Sequence, residues 1–415
     1  MSYQPAKDKG FDRSLGILKD GYTFAQKRLQ SQHLDVYETK LLGEKAALLG
    51  GEKGAELFYD NDKMKRGGAM PAFILKTLFG ENGVQTMDGN PFEHRKRLFL
   101  SLMTPEALDN LFEITTKHWN LAVDRWKKKR KVVLYDEALY LLMRAACEWA
   151  GVPLKEKEVE KRANDFALMI DGFGSLGPKH IQSRKARQRS EQWIEDLILD
   201  VRNGKLEAEQ GTAIFEMAMH RDLEGNHLDP RMAAIELLNV IRPSVAVSKF
   251  IAFGAVAMEE YPEEKGKVAN SEDYLYYFAQ EVRRFYPFVP YLPARTKKDF
   301  TWQGYSFTAG QLVLVDVYGT NHDPRIWEEP ETFNPDRFRN WNGGLFDLIP
   351  QGGGDYEKNH RCPGEWATLE ILKASFQYMS RHLSYKLPKQ DLGYSLTKMP
   401  AIPNSGFIMK KVEKK

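Results

Sequence analysis

Cysteine is nearly absent from this 415-residue chain, which contains only Cys147 and Cys362. Two cysteines exclude a disulfide framework, a four-cysteine zinc site and an iron–sulfur cluster held by cysteines alone. Long apolar runs are also missing, because the strongest, residues 138–143 and 250–258, fall far short of the ~18 residues that cross a bilayer. The first residues are charged and lack the apolar core of a signal peptide. We therefore expect an intracellular, cytoplasmic protein without stable membrane insertion.

The chain also has little excess charge. Its 60 basic and 57 acidic residues give a formal net charge of +3, which does not indicate a nucleic-acid partner. A basic run at residues 127–131 lies between a helical pattern and a β-like segment, so we interpret it as a solvated turn, with docking of an acidic partner as the alternative. A second basic stretch, residues 179–189, gives way to acidic residues and is typical of an amphipathic surface helix.

Helical periodicity dominates the middle of the chain. Proline in the first turn and acidic residues behind it mark the start of the longest pattern. Helices are predicted over residues 105–126, 135–150, 155–170, 179–203, 230–260 and 270–285. These patterns predict a mainly α fold.

The β component is predicted to be small. Residues 36–49 mix β-branched and alternating polar residues and read as a hairpin. After residue 287, prolines and glycines break the chain into short pieces, with β segments near 301–307 and 312–317. We predict one domain, residues 1–415, whose β-containing parts lie near 33–50 and 290–320.

A glycine-rich motif at residues 172–177, Gly-Phe-Gly-Ser-Leu-Gly, matches the pattern G-x-G-x-x-G of dinucleotide-binding turns. Such a turn should follow a buried strand in a βαβ unit, whereas the residues before this motif read as a helix. We therefore interpret the motif as a flexible connection between two helices, of a kind that can serve as a lid.

The residues around Cys362 carry the most chemical information. Residues 351–365, Gln-Gly-Gly-Gly-Asp-Tyr-Glu-Lys-Asn-His-Arg-Cys-Pro-Gly-Glu, place this cysteine after a glycine-rich loop and before a predicted helix. A thiolate near a helix N-terminus, with His360 and Arg361 beside it as cations, is stabilised as the anion and becomes a good metal ligand. The alternative is a buried, inert cysteine.

Two further motifs narrow the interpretation. Glu281 and Arg284 lie three residues apart on a predicted helix and can form a buried, hydrogen-bonded pair. Downstream, residues 321–338 form a proline-punctuated segment that ends in Pro-Asp-Arg-Phe. In order and spacing, these motifs and the cysteine loop resemble the cytochromes P450, the haem-thiolate superfamily. The resemblance covers nearly the whole chain and implies one large helical domain, with haem b between the central helix and the cysteine loop.

The resemblance also implies roles for individual residues. Cys362 would be the axial ligand of the haem iron. A structural network behind the cysteine loop would contain Glu281, Arg284 and Arg337. Phe92 stands where several relatives have a histidine near the haem edge. The residues implied to bind the cofactor, mainly as cationic partners of the haem propionates, are His360, Arg361, Arg295, Arg66 and Lys96.

The central helix departs from the usual pattern of that superfamily. Residues 240–244 read Val-Ile-Arg-Pro-Ser and contain no acid–threonine pair. Pro243 removes a backbone hydrogen bond and is expected to kink the helix. Arg242 introduces a permanent cation that needs an anion when buried. Glu236 lies six residues back and is poorly aligned, so a distant acid and a carboxylate of the substrate both remain open as partners.

The Arg-Pro pair and the glycine-rich insertion at residues 352–359 resemble the bacterial fatty-acid peroxygenases. That resemblance implies a long-chain fatty acid and hydrogen peroxide as partners, without an obligatory redox partner. Arg242, Pro243 and Gln85 would be the catalytic residues, with the substrate carboxylate on Arg242. Since the carboxylate would be anchored beside the iron, hydroxylation is expected at Cβ and Cα, with some decarboxylation to terminal alkenes.

The residues expected to contact the fatty acid are mostly apolar. Gln85 corresponds to the β-hydroxylating type among the relatives, and its amide has no titrating proton. The alkyl tail needs an apolar tunnel, for which the candidates are Leu78, Phe79, Phe173, Phe288 and Val289, although each is equally consistent with ordinary core packing.

Two other functions remain open at this point. A conventional monooxygenase would use dioxygen and electrons from a redox partner. A non-catalytic haem protein would use the same Cys362 ligation to sense or store a ligand.

Overall fold

The computed structural model describes residues 6–8, 10, 12–172, 175 and 177–415. Over these residues most of the chain is helical. The α-helices are α1 (Ser14–Asp20), α2 (Thr23–Gln30), α3 (Gly51–Phe58), α4 (Ala72–Ile74), α5 (Gly89–Leu100), α6 (Pro105–Trp126), α7 (Leu134–Trp149), α8 (Val159–Asp171), α9 (Pro178–Arg202), α10 (Ala213–Met219), α11 (Pro230–Ala246), α12 (Ser248–Glu260), α13 (Pro262–Asn270), α14 (Glu272–Phe285), α15 (Val317–Asn321) and α16 (Glu365–Arg381). A π-helix, Leu75–Phe79, directly follows α4.

The strands form three small sheets within the described residues. They are β1 (Val36–Leu41), β2 (Glu44–Leu49), β3 (Met64–Lys65), β4 (Val132–Val133), β5 (Tyr291–Thr296), β6 (Phe300–Trp302), β7 (Tyr305–Phe307), β8 (Leu312–Asp316), β9 (Leu383–Lys386) and β10 (Ile408–Lys414). The largest sheet has the order β1-β2-β8-β5-β3, with β2 and β8 parallel and the other neighbours antiparallel. The others are β4-β10-β9 and the hairpin β6-β7.

Helix starts follow the capping chemistry of the sequence. Thr104 accepts a hydrogen bond from the Ala107 N–H and precedes Pro105 at the start of α6. Asp229 caps α11 in the same way, ahead of Pro230. In both cases the side chain satisfies an amide that the first turn leaves unpaired, and proline fills a position that needs no donor. The N-terminal ends of α6 and α11 are therefore fixed by residues that the sequence itself supplies.

The predicted mainly α fold with a small β component is confirmed. The hairpin expected at residues 36–49 is β1-β2, and the six predicted helical stretches correspond to α6, α7, α8, α9, α11 with α12, and α14. Residues 172–177 connect α8 to α9, as expected for a link between helices, although residues 173, 174 and 176 lie outside the described residues. The strands β9 and β10 were not predicted, because they pair across distant parts of the chain.

The central helix is interrupted shortly after Pro243. Proline has no N–H to donate to the carbonyl of Asn239, one turn back. The regular helix ends at Ala246, and α12 begins at Ser248. Residues Pro230–Glu260 together form the one described stretch long and apolar enough to cross a membrane, which corrects the expectation that all apolar runs are too short. Because 94% of the most apolar part of this stretch is buried inside the protein, its composition is also that of a helix in the protein core.

A close helix contact joins α12 to α16. A Cβ atom at Gly254 would lie 2.1 Å from the ring of Phe376, so only glycine permits this approach. Both residues are buried, and α16 also packs against α6, where the Trp119 indole donates to the Ser375 hydroxyl at 3.0 Å. The helix that follows Cys362 is thus fixed from two sides.

We expect Gly254→Ala to lower the free energy of unfolding by about 1–3 kcal/mol, because the added methyl group overpacks the contact with Phe376. Gly266→Ala is the matched control: Gly266 lies in α13, and a Cβ atom added there would have no neighbouring atom within 4 Å. Alanine there should be neutral or raise stability by about 0.5–1 kcal/mol. Equal denaturant unfolding curves for the two variants would contradict the importance of this contact.

Candidate functional site

The loop that carries Cys362 is held by its own backbone. The Cys362 N–H donates to the Gln351 carbonyl at 2.9 Å, and the Gly354 N–H donates to the Leu345 carbonyl at 2.7 Å. Gly352 and Gly354 adopt φ angles of +93° and +86°, which favour glycine. The loop therefore closes on itself and presents a partly buried Cys362 just before α16.

The electrostatics of the thiol differ from the sequence-based expectation. Burial raises the pKa of Cys362, and the Gly364 N–H and the Lys96 ammonium oppose that rise. Burial also lowers the pKa of His360 well below its usual range, so its imidazole is neutral, and it stacks on Phe92 with ring centroids 3.8 Å apart. The expectation of a cationic His360 beside the cysteine is corrected.

Arg361 keeps its charge but already has a partner. Its Nε donates to the Glu365 carboxylate at 2.7 Å, one helical turn further along. Arg283 of α14 reaches the same carboxylate at 2.5 Å and donates from Nε to the Gln351 amide oxygen at 3.0 Å. The amide of Gln351 in turn lies 3.8 Å from the Cys362 sulfur. Arg283 and Glu365, which the sequence analysis missed, are therefore the side chains that support the cysteine loop.

The predicted pair of Glu281 and Arg284 is present but acts elsewhere. Both side chains are buried, and Arg284 donates from Nε and Nη2 to Glu281 at 2.7 and 2.8 Å. Arg337 adds a longer contact of 3.3 Å to the same carboxylate. Arg284 also donates to the carbonyls of Asn321 and Pro330. This network fastens α14 to the segment around residues 321–337, while Arg283 serves the cysteine loop.

Arg242 lies on the face of α11 that the sequence analysis singled out. It is 5% exposed, and Nη2 donates to the Asn239 amide oxygen at 3.2 Å. Its Nε is buried without a hydrogen-bond partner. Glu236 is fully buried but is already occupied, because it accepts from Arg95 of α5 at 2.8 Å and from the Val84 N–H at 3.0 Å. Asn239 connects Glu236 to Arg242 without neutralising the guanidinium.

The Asn239 amide also determines the orientation of Gln85. Its NH₂ group donates to Glu236 at 3.2 Å and to the Gln85 amide oxygen at 3.3 Å. Since Gln85 accepts through its oxygen, its own NH₂ group remains available as a donor. Gln85 lies in the 3₁₀ turn Val84–Thr86, which the contact with Glu236 holds against α11.

The residues expected to line an apolar tunnel separate into two groups. Leu78, Phe79 and Phe288 belong to one cluster, together with Ile170 and Ala246. Val289, although adjacent to Phe288 in sequence, packs against the core of the largest sheet. Phe173 lies outside the described residues. The structure thus brings three of the five candidates together, and the ring of Phe79 lies 5.3 Å from the Arg242 guanidinium carbon.

Three buried cations have no carboxylate partner among the described residues. Arg66 and Lys96 donate only to backbone carbonyls, those of Phe58 and of the cysteine loop at Asn359 and Arg361, and Arg242 only to an amide. Burial lowers the pKa of Arg66 to about 10, of Lys96 to about 8 and of Arg242 to about 9. Arg295, which was expected to be a further cation at the cofactor, already has a carboxylate partner, because it forms a bidentate pair with Glu44 at 2.9 Å.

These features fit the haem that the resemblance implies. The sulfur of Cys362 is a soft ligand suited to iron. As a thiolate it would oppose the effect of burial on Lys96 and Arg242, because its negative charge raises the pKa of both. Three uncompensated cations match the two propionates of a haem and one further carboxylate. The donor set therefore suits a haem-thiolate site that also binds an acid.

The sequence contains a signal for the missed residues on α11. Glu236, Asn239 and Arg242 follow one another at intervals of three, so Asn239 is a neighbour of both charged residues on the helix surface. The amide oxygen of an asparagine also accepts from a guanidinium, so Asn239, one turn before Arg242, is the partner that this spacing indicates.

Comparisons with known proteins point to one family. The family model for cytochrome P450 matches residues 270–392. The structure of cytochrome P450EX alpha (CYP152N1) with myristic acid is 43% identical, has a TM-score of 0.96 and covers 100% of both chains. A variant of cytochrome P450 OleT in complex with arachidonic acid is 40% identical, has a TM-score of 0.97 and covers 100% of this chain and 99% of that one.

More distant similarity extends to monooxygenases of plants. The beta-amyrin 28-monooxygenase of Vitis vinifera is 24% identical over 400 residues, which are 86% of this chain and 81% of that protein.

We expect Glu281→Gln to lower the free energy of unfolding by about 3–5 kcal/mol, because it leaves Arg284 buried opposite a neutral group. Glu370→Gln removes a partly exposed partner of Lys373 and should change stability by less than about 1 kcal/mol. Denaturant unfolding of both variants measures the difference. A small loss for Glu281→Gln would mean that the backbone carbonyls around Arg284 suffice to hold it.

Proposed function

The chain belongs to the cytochrome P450 family, and on that premise we propose that it is a haem-dependent peroxygenase that uses hydrogen peroxide to hydroxylate long-chain fatty acids. The relatives bound to arachidonic and myristic acids support a fatty acid as the substrate. The observation that carries the proposal is the buried guanidinium of Arg242. Within the described residues its Nε has no hydrogen-bond partner, and its one side-chain hydrogen bond is to the Asn239 amide.

Arg242 is suited to bind the substrate carboxylate. A guanidinium offers two parallel N–H donors to a carboxylate, and in a buried site such a pair is strong and directional. The anion would also remove the cost of burying the cation without a partner. The Gln85 NH₂ group offers a further donor in the same region, because Asn239 holds the Gln85 oxygen.

The chain provides no acid of its own to move protons at this turn of α11. Residues 240–244, Val-Ile-Arg-Pro-Ser, stand where the resemblance places an acid–alcohol pair, and Glu236 is occupied by Arg95. A carboxylate held by Arg242 would act as the missing acid and base. Haem with a thiolate ligand supplies the oxidising chemistry, because the thiolate favours cleavage of the O–O bond. Hydrogen peroxide carries both oxidising equivalents, so this proposal needs no redox partner.

Anchoring the carboxylate limits which carbons react. With the head group fixed by Arg242, only Cα and Cβ would be held within reach of the cofactor. The tail would extend along Leu78, Phe79 and Phe288, which form one apolar cluster. Since the Gln85 amide carries no titrating proton, we expect hydroxylation mostly at Cβ, with some at Cα, over decarboxylation to terminal alkenes.

The cofactor is proposed to be haem b, with Cys362 as the axial ligand. Arg66 and Lys96 are the best partners for its propionates, because both are buried and lack a carboxylate. His360 would contribute a neutral hydrogen-bond donor. Arg295 and Arg361 are less suited, since Glu44 and Glu365 already neutralise them.

The proposed location is the cytoplasm, without insertion in a membrane. Burial of the apolar stretch Pro230–Glu260 inside the protein supports this location, because the same residues cannot face lipid.

We expect the purified, haem-loaded protein to convert myristic acid to β- and α-hydroxy acids with hydrogen peroxide alone. Mass spectrometry of the products provides the test. Activity that appears only with NAD(P)H and reductases would indicate a conventional monooxygenase, and no turnover in either case would indicate a non-catalytic haem protein. A predominance of terminal alkene would contradict the role given to Gln85.

Arg242→Ala should retain haem and a normal absorption spectrum but lose at least about a hundredfold in peroxide-driven turnover of myristic acid, since a buried charge pair is removed. Arg242→Lys keeps the charge but lacks the two parallel donors, so its turnover should lie between that of Arg242→Ala and that of the unmodified protein. Turnover of Arg242→Ala close to that of the unmodified protein would show that the carboxylate binds elsewhere.

A further inference from the structure

The segment that carries Phe79 has an unusual conformation. Residues Leu75–Phe79 form a π-helix, which ends at Gly80 with a φ angle of +86°. Single π-helical turns are less stable than α-helix and occur frequently at functional sites. The last carbonyls of any helix lack an intrahelical donor, and here they belong to residues whose side chains enter the proposed substrate cluster.

Arg187 of α9 provides the missing donors. Its side chain is 2% exposed, Nη1 donates to the Leu78 carbonyl at 2.9 Å, and Nη2 donates to the Phe79 carbonyl at 3.3 Å. Its Nε donates to Glu191, which also accepts from Arg231. One guanidinium therefore holds two consecutive carbonyls, while its own charge is balanced within α9.

The same contact limits the shape of the loop. A Cβ atom at Gly80 would lie 2.4 Å from Arg187 Nη2 and 2.7 Å from the Ile235 side chain of α11. The turn after Phe79 is thus pressed between Arg187 and the central helix. Because the backbone of Phe79 is held on one side and its ring lies 5.3 Å from the Arg242 guanidinium carbon on the other, Arg187 and Arg242 are linked through this one residue.

We propose that Arg187 is a positioning residue that fixes the Phe79 ring against Arg242 and so sets which carbon of the fatty acid is hydroxylated. This inference rests on the proposed function. Arg187 has no hydrogen bond to Arg242 or Cys362 among the described residues. It holds the backbone of residues 78–79. Burial and, next to it, the charge of Arg187 lower the pKa of Arg242, and Arg187→Lys keeps that charge. Displacement of the ring changes the space beside the anchored head group, where Cα and Cβ compete.

A cavity beside Arg187 makes the residue suitable for substitution. It has a volume of about 380 Å³ and is lined partly by Gly80, Arg187, Glu191 and Arg231. Water entering from this cavity can hydrogen-bond the Leu78 and Phe79 carbonyls when the guanidinium is removed. Glu191 keeps Arg231 as a partner, so no carboxylate is left buried alone.

The test compares Arg187→Met with Arg189→Met. Both arginines lie on α9 and pair with an acid, but Arg189 binds Asp165 and has no hydrogen bond to residues 78–79. Haem content, melting temperature and the ratio of α- to β-hydroxymyristic acid formed with hydrogen peroxide are measured for both variants. We expect the ratio of α- to β-hydroxymyristic acid to change by about threefold or more in Arg187→Met and to stay unchanged in Arg189→Met. A threefold change is about the size expected when the cation–π contact between Arg242 and the Phe79 ring is lost.

Arg187→Lys provides a second variant in case Arg187→Met does not fold. A lysine can hold one of the two carbonyls, so the ratio should shift in the same direction by a smaller factor. If the unmodified protein hydroxylates myristic acid but the ratio is the same in every variant that folds, the role of Arg187 is overturned and the proposed function stands. If the unmodified protein forms no hydroxy acid, the proposed function fails and this inference with it.

Discussion

The candidate site depends on one interaction that is left open, the buried guanidinium of Arg242. A guanidinium buried without an anion is costly in a protein interior. Glu236, which Asn239 links to Arg242, is held by Arg95, so among the described residues the amide of Asn239 is the one hydrogen-bond partner of Arg242. The charge is kept in place and left unneutralised by the same chain of contacts. A site of this kind is organised in advance for an anion, because little rearrangement is needed when the anion arrives.

The arginine and the proline that follows it act together. Pro243 removes the backbone donor to Asn239, and the regular helix ends at Ala246, three residues later. Ala246 belongs to the apolar cluster of Leu78, Phe79 and Phe288. One short stretch of α11 therefore places a cation next to a water-excluding surface, which is the combination that a molecule with a charged head and an apolar tail requires.

The sequence predicted the long helices, the β1-β2 hairpin and the position of Cys362 between a glycine-rich loop and a helix, because these follow from periodicity, turn chemistry and a local motif. It was less informative about the partners of charged residues. Neighbours in sequence gave Arg361 the role of a free cation, whereas Glu365, one turn on, neutralises it. Phe288 and Val289 were grouped, although adjacent side chains enter different clusters. Such outcomes depend on long-range packing, which no local pattern contains.

The contact between Gly254 and Phe376 has a consequence for the spacing of the whole site. The helix α16 begins three residues after Cys362, and α12 directly follows α11, the helix that carries Arg242. The hydrogen atom at position 254 therefore lets α12, which follows the helix that bears Arg242, pack directly against α16, which follows Cys362. The distance between these two helices is therefore limited at a residue that lies apart from both Cys362 and Arg242, and a side chain larger than hydrogen there would force the helices apart.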